Sequence, residues 1–481
     1  MTGGEDSTAV RRDRFSGGPA REFLSSMDAD ARIFAADLAV DRAHVVMLAE
    51  QGIIEASAAE TILGALDDVE SAGFDALPDG EDVHEAIETA VIDRVGPVGG
   101  KMHTARSRND EVATCIRHRF RDDLLDAAET TIAFREALLE TAAAHADTVM
   151  PGYTHLQPAQ PVTVAHFLLS YESAVARDTE RLLDAYARTN RSPLGAAAFG
   201  GTPFDIDRER TADLLGFDSV VENSMDASST RDFLVEGVSA LAGLATTVSG
   251  LAEDLVVFSN KGLVSLSDDY ASTSSIMPQK KNPDTLELVR ATAGDATGAL
   301  QGLLTTLKGL PRAYNRDLQS ATGYGWTAVD EVAEAVEVVA GAVATAEWPA
   351  DALADAAGEG FSTATGVADT LAMAGLPFRT AHEIVAEAGT GDLAALDGAA
   401  REVTGEPLAD LADGEAVEAA LDPAASVAMR DSFGGPAPDA VAGALDRAAD
   451  GVAADVDAVE ARRDALADAA DELAAEVASY E

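Results

Sequence analysis

The residues best suited to chemistry fall in three polar blocks. The first reads Ser272-Thr273-Ser274-Ser275-Ile276-Met277-Pro278-Gln279-Lys280-Lys281-Asn282-Pro283-Asp284-Thr285-Leu286-Glu287 and holds two of the chain's five lysines. Asparagine followed by proline signals a helix start, so Asn282 is expected as the cap and Pro283 as the first helical residue. A polar loop would then end at a helix N-terminus, where free N–H groups, partial positive charge and the Lys280 ammonium suit a carboxylate. The second block, Lys101-Met102-His103-Thr104-Ala105-Arg106-Ser107-Arg108-Asn109-Asp110, sets two arginines able to grip carboxylates ahead of Asn109, a second candidate cap. The third, Gly152-Tyr153-Thr154-His155-Leu156-Gln157-Pro158-Ala159-Gln160-Pro161, presents His155 in a proline-bounded segment where no helix can run. Taken singly, each block also reads as something ordinary: a capped surface turn, surface ion-pair partners, a satisfied structural histidine. Their occurrence together, in this order, favours a site.

Helices must position these blocks. Up to about Gly100, short helical patterns are broken by turns such as Leu77-Pro78-Asp79-Gly80, which predicts a small first domain over 1–108. From Asn109 the period lengthens, with Val112, Ile116, Phe120 and Leu124 at four-residue spacing. Further long helices are expected near 162–188, 232–258, 283–309 and 325–348, making 109–357 a central long-helix bundle. The segment from Asp232 to Ser259 is small or apolar almost all round, which predicts a helix covered by other copies of the chain. Short alanine- and aspartate-rich helices punctuated by glycine and proline predict a third domain over 358–481, ending in a solvated helix. The expected class is all-α.

Composition narrows the function. Aspartate and glutamate number 84 against 34 lysines and arginines, a net charge of −50, which disfavours nucleic acid or an anionic membrane as partner. Acidity spread along the whole chain predicts a protein of molar salt, where screening falls to ~3 Å. Cys115, the single cysteine, excludes a disulfide framework or thiol metal site and suits a reducing, cytoplasmic interior. No apolar signal region opens the sequence, and the charge-free stretch between Glu236 and Glu253 is expected to fall short of a membrane span of ~20 residues.

The order and spelling of the three blocks resemble the fumarase/aspartase superfamily, lyases that release fumarate from substituted succinates and share a Gly-Ser-Ser-x-Met-Pro-x-Lys-x-Asn loop. The spelling from Met277 to Asp284 is similar to the argininosuccinate lyase branch. The resemblance begins at Arg14-Phe15-Ser16-Gly17 and continues through Asp41-Arg42-Ala43-His44, Glu81-Asp82-Val83-His84 and Tyr314-Asn315-Arg316-Asp317-Leu318-Gln319 to Pro377-Phe378-Arg379-Thr380-Ala381-His382. It implies a three-domain all-α fold and a homotetramer with a multi-helix core, each site drawing on three subunits. The implied reaction is reversible β-elimination of argininosuccinate to arginine and fumarate, without cofactor or metal.

By the same resemblance Ser274 is the general base, and Lys280 and Asn282 stabilise the doubly charged aci-carboxylate. His155, oriented by Glu287 of another subunit, serves the acid side directly or through Thr154 and water. Ser26, Asp30, His84, Ser107, Arg108, Asn109, Tyr314 and Gln319 contact substrate. The alternatives are another fumarate-releasing lyase or an inactive crystallin-like relative. The chain departs from the family pattern at Thr273 and Ala105, where glycine is expected, at Thr322 (lysine), Glu111 (glutamine) and Thr230 (aspartate).

Overall fold

A computed structural model describes residues 20–480, so the Arg14–Gly17 motif lies outside the described residues. Helices α1 (Phe34–Glu50), α2 (Ala56–Ala72) and α3 (Val83–Val95) lead into the 37-residue α4 (Arg108–Ala144). Next comes a hairpin, β1 (Val149–Thr154) and β2 (Gln157–Thr163), then α5 (Val164–Thr189) and α6 (Asp232–Asn260). Two-residue strands β3 (Ser272–Thr273) and β4 (Lys281–Asn282) pair antiparallel across the serine loop. Helices α7 (Asp284–Leu307) and α8 (Asp317–Ala344) complete the bundle, and α9 (Pro438–Ala478) ends the described chain. The long helices therefore stand where their apolar period places them, α8 starting eight residues before the expected 325.

The bundle core forms because the four-residue repeat of α4 turns Ile116, Phe120 and Leu124 inward. Phe120 meets Phe233 and Trp326 at ring-centroid distances of 6.1 and 6.0 Å, joining α4 to α6 and α8. Gly237 is required there, since a Cβ would fall 2.5 Å from the Phe120 ring. Helices α1 to α3 share this continuous core, so the first hundred residues pack onto the bundle rather than around an interior of their own. The stretch from 358 divides in two. Residues 367–420 bury a separate small core, whereas α9 returns to the bundle through Val441, Val452, Val459, Leu473 and Val477. Buried Arg135 of α4 ion-pairs with Glu172 of α5 at 3.0 Å and with Asp455 of α9.

One helix, α6, is long and apolar enough by length and composition to cross a membrane, although its charge-free stretch between Glu236 and Glu253 is shorter than such a span. Half of its apolar window is buried inside the chain, and Ser239, Thr246 and Gly250 lie exposed. On α7, Leu288, Ala291, Gly294, Gly298 and Leu304 are exposed along one face.

Candidate active site

The predicted site residues lie at three separate places on the single chain. The largest group lines a cavity of about 580 Å³ between the first helices, the start of α4 and the start of α8: Ser26, Asp30, His84, Arg108, Asn109, Tyr314 and Gln319. Ser107 sits at the start of α4. The tip of the β1–β2 hairpin carries Thr154 and His155. The serine loop carries Ser274, while Lys280, Asn282 and Glu287 line a second cavity of about 490 Å³.

In the first cavity the polar groups hold one another. The Ser26 hydroxyl donates to the Asp30 carboxylate at 2.6 Å, and the Val83 N–H donates to the same oxygen at 3.3 Å. Burial raises the Asp30 pKa, with the charge of His84 opposing. Asp82 caps α3 by accepting from the Glu85 N–H at 2.8 Å and ion-pairs with Arg108 at 3.3 Å. The Gln319 amide donates to the Leu24 and Ser25 carbonyls, both at 3.3 Å, and its oxygen accepts from Arg316, which pairs with Glu81 at 2.5 Å. Asn109 is not the cap of α4. Ser107 takes that place, its hydroxyl accepting from the Asn109 N–H while Asp110 accepts from the Ser107 N–H, a reciprocal box available only to a serine two residues earlier. The Asn109 side chain donates instead to the Ala198 carbonyl at 3.1 Å.

Behind His84 lies a buried charge cluster that pattern reading missed. Its Nδ1 is 2.8 Å from Asp37 and 4.0 Å from Glu111, and Arg106 pairs with Asp41 at 2.6 Å and Glu111 at 2.8 Å. Asp37, Asp41 and Glu111 bring oxygens within 4.8 Å of one another, the spacing of a cation site, and the cations that pair with them are Arg106, on Asp41 and Glu111, and His84, on Asp37. Burial pushes His84 toward the neutral form, but Asp37 and Glu111 outweigh it and lift its pKa to about 10. Burial also lifts Asp41 to about 7 against the pull of Arg106, and Glu111 well above the carboxylate range. Three carboxylates facing two cations leave one negative charge too many, which a retained proton cancels. A signal existed: Asp37 and Asp41 stand four apart on α1, interleaved with the apolar Ala36, Leu38 and Val40.

The histidine block folds as a hairpin. Thr154 pairs with Gln157, leaving His155 and Leu156 as a two-residue turn with φ of 56° and 58°. Both residues occupy the left-handed region, as a type I′ turn demands and as residues other than glycine or asparagine rarely do. His155 is thereby held exposed at the tip, and Leu156 beside it is 65% exposed. Gly152 admits the partner strand, since a Cβ would fall 2.5 Å from the Gln160 carbonyl. Tyr153 stacks on Phe258 at 6.0 Å and lies under the Lys261 ammonium at 4.8 Å, fastening the hairpin to the end of α6.

In the serine loop, the Ser274 N–H donates to the Lys280 carbonyl at 3.0 Å, and the Ser274 hydroxyl oxygen accepts from the N–H of Ile276 at 3.3 Å and of Met277 at 3.0 Å. Lys281 anchors the loop base to the Leu266 carbonyl and Asp268. Lys280 makes no ion pair among the described residues. Asn282 does not cap α7: it lies in β4 opposite Ser272, and the helix begins at Asp284, whose carboxylate binds the Ser272 N–H and hydroxyl instead. Strand pairing across the loop has claimed the residue that local preference assigned to the helix. Thr273 sits in β3, where a β-branched residue is at ease.

The chain matches the family described as Lyase over residues 21–298 and the family described as Argininosuccinate lyase C-terminal over 361–428, the segment that holds the small separate core. The argininosuccinate lyase of Halobacterium salinarum is 69% identical over 485 aligned residues, covering 100% of both chains. This chain belongs to the argininosuccinate lyase family. The family member of Haloarcula marismortui is 68% identical, covering 99% of this chain and 97% of that one. Among solved structures, EDDS lyase in complex with formate superposes with a TM-score of 0.84 at 34% identity, covering 96% of this chain and 95% of that one. Both named relatives of the family come from salt-loving archaea, in keeping with the net charge of −50.

Proposed function

We propose that the chain cleaves argininosuccinate to arginine and fumarate in the cytoplasm, as a homotetramer whose sites each combine residues of several subunits. The observation that carries this reading is the identity of 69% along the whole length of an argininosuccinate lyase. The geometry supports the chemistry. Elimination needs a base at the carbon beside a carboxylate, and Ser274 receives two backbone N–H donors that favour its alkoxide. Lys280 follows in the same loop and, with Asn282, stabilises the charge that gathers on the carboxylate as the proton leaves. His155 protonates the departing guanidino nitrogen, directly or through Thr154 and water, with Glu287 of another subunit orienting its ring.

The substrate is received by Ser26, Asp30, His84, Arg108, Asn109, Tyr314 and Gln319 of the first cavity, together with Ser107 at the start of α4. Separation of the three groups on one chain supports shared sites, as does the outward presentation of His155 and of Ile276, 83% exposed on the serine loop. The test is fumarate release from argininosuccinate in concentrated potassium chloride, followed by ultraviolet absorbance and confirmed by appearance of arginine. Fumarate from other substituted succinates, with none from argininosuccinate, would move the chain to another fumarate-releasing activity.

A further inference from the structure

Asp37 lies in α1, fully buried behind the first cavity, and both of its carboxylate oxygens are committed. One is 2.8 Å from His84 Nδ1, and the other accepts from the Cys115 thiol of α4 at 3.3 Å, so the carboxylate is fixed in rotation as well as position. His84 reaches the cavity wall from α3 with a side chain 3% exposed. Its second ring nitrogen, Nε2, is buried and has no hydrogen-bond partner among the described residues. A carboxylate can only accept, so Nδ1 carries a proton against Asp37. The character of Nε2 then depends on the charge of the ring: in the imidazolium it is an N–H donor, and in the neutral ring a bare acceptor that repels an anion. Asp37 and Asp41 of α1, Glu111 of α4, Asp82 at the cap of α3 and Asp30 ahead of α1 face the ring, against His103. Arg106 beside them is already paired with Asp41 and Glu111. The carboxylates outweigh burial, and His84 keeps its second proton to about 10. A buried donor without a partner is costly, and one at a cavity wall finds its partner when the cavity is filled.

We propose that Asp37 is a positioning residue for the elimination, its carboxylate holding His84 Nδ1 so that Nε2–H stands in the cavity wall as a fixed donor to a carboxylate of argininosuccinate. Asp37 touches no substrate itself and acts through the histidine. This role rests on the function proposed above and extends it one residue back from the cavity, so that the buried cluster serves substrate binding as well as packing.

The test is KM for argininosuccinate from about pH 5.5 to about pH 9 in wild type and in Asp37→Asn, the ratio of the two being taken at each pH so that groups titrating in both cancel. Asparagine has nearly the same shape, and its Oδ1 still accepts from Nδ1–H, so it keeps the ring in place but withdraws the charge that holds the second proton. At the acid end the ratio should stay within about threefold of unity. Toward the alkaline end it should climb to about 10-fold or more, the worth of a charged hydrogen bond, while kcat changes less. A ratio that stays flat with pH overturns the assignment: near unity it leaves Asp37 idle, and raised throughout it makes Asp37 a packing residue. If Asp37→Asn fails to fold, His84→Gln and Glu111→Gln decide. Glutamine at position 84 does not titrate and should raise KM at every pH, whereas Glu111→Gln should track wild type across the range because Asp37 still holds the ring. An unchanged KM in the first, or a KM that climbs with pH in the second, overturns the assignment. A wild-type protein that releases no fumarate from argininosuccinate would instead refute the parent function, an outcome distinct from absence of the Asp37 effect in an active enzyme.

Discussion

The hydroxyl oxygen of Ser274 accepts a hydrogen bond from the N–H of Met277, three residues on, at 3.0 Å, so the serine loop folds back on the atom proposed to act as base. A second donor, the Ile276 N–H, points at the same oxygen. Removing that oxygen in Ser274→Ala should lower kcat roughly 10²- to 10⁴-fold, the range for a positioned proton-transfer group, with little change in KM. Steady-state kinetics on a variant with wild-type melting temperature checks this.

Ala105 sits at φ 62°, in the left-handed region that costs a residue with a Cβ about 1 kcal/mol or more. It lies in the turn before Arg106 and the α4 cap. Ala105→Gly should therefore stabilise the protein by roughly 0.5–1 kcal/mol after the added freedom of the unfolded chain is deducted. Chemical denaturation at fixed salt reads the difference, and activity should be unaffected.

The cluster of Asp37, Asp41, Glu111, Arg106 and His84 predicts falling stability in alkali. His84 holds its proton to about 10, whereas an unfolded histidine releases it near 6.5. Its stabilising share is thus complete below about 6.5 and is lost as pH rises toward 10. Asp41, lifted to about 7 from 3.8, acts with the same sign at lower pH, its share disappearing between those values. Glu111→Gln removes one of the three carboxylates and relieves the need for a retained proton. Melting temperature against pH should decline more gently for this variant than for wild type. An equal or steeper decline would contradict the charge count.

Much of the helical frame was legible, because Ile116, Phe120 and Leu124 recur on one face of α4 and that period is strong over a long segment. The two capping assignments failed for opposite reasons. At Asn109 a better cap, Ser107, stood two residues earlier with Asp110 to complete the box. At Asn282 pairing with Ser272, a contact across ten residues, overrode the local Asn-Pro preference. The His155 hairpin was hidden because its turn lacks the Asn-Gly signature that a type I′ turn normally shows. The Asp37 cluster was hidden because burial of a charge is a tertiary fact, for which sequence offers only two aspartates set among apolar residues of α1.

Net charge of −50 predicts a stabilising response to salt. Raising potassium chloride from ~0.1 M to ~1 M cuts the screening length from ~10 Å to ~3 Å, weakening repulsion between surface carboxylates while leaving buried pairs such as Arg106 with Asp41 largely intact. Melting temperature should rise across that range, and dilution of salt should dissociate the proposed assembly before the helices unfold, as sedimentation and circular dichroism can follow.

We propose that His155 and Ser274 meet only when chains assemble. Inactive His155→Asn and Ser274→Ala proteins, dissociated together and reassembled in salt, decide the matter. If each site takes its histidine and serine from different subunits, random mixing restores about a quarter of the sites to full wild-type makeup, and fumarate release returns in proportion. If the mixed assemblies stay as inactive as either parent, both residues come from one chain and no site is shared between subunits.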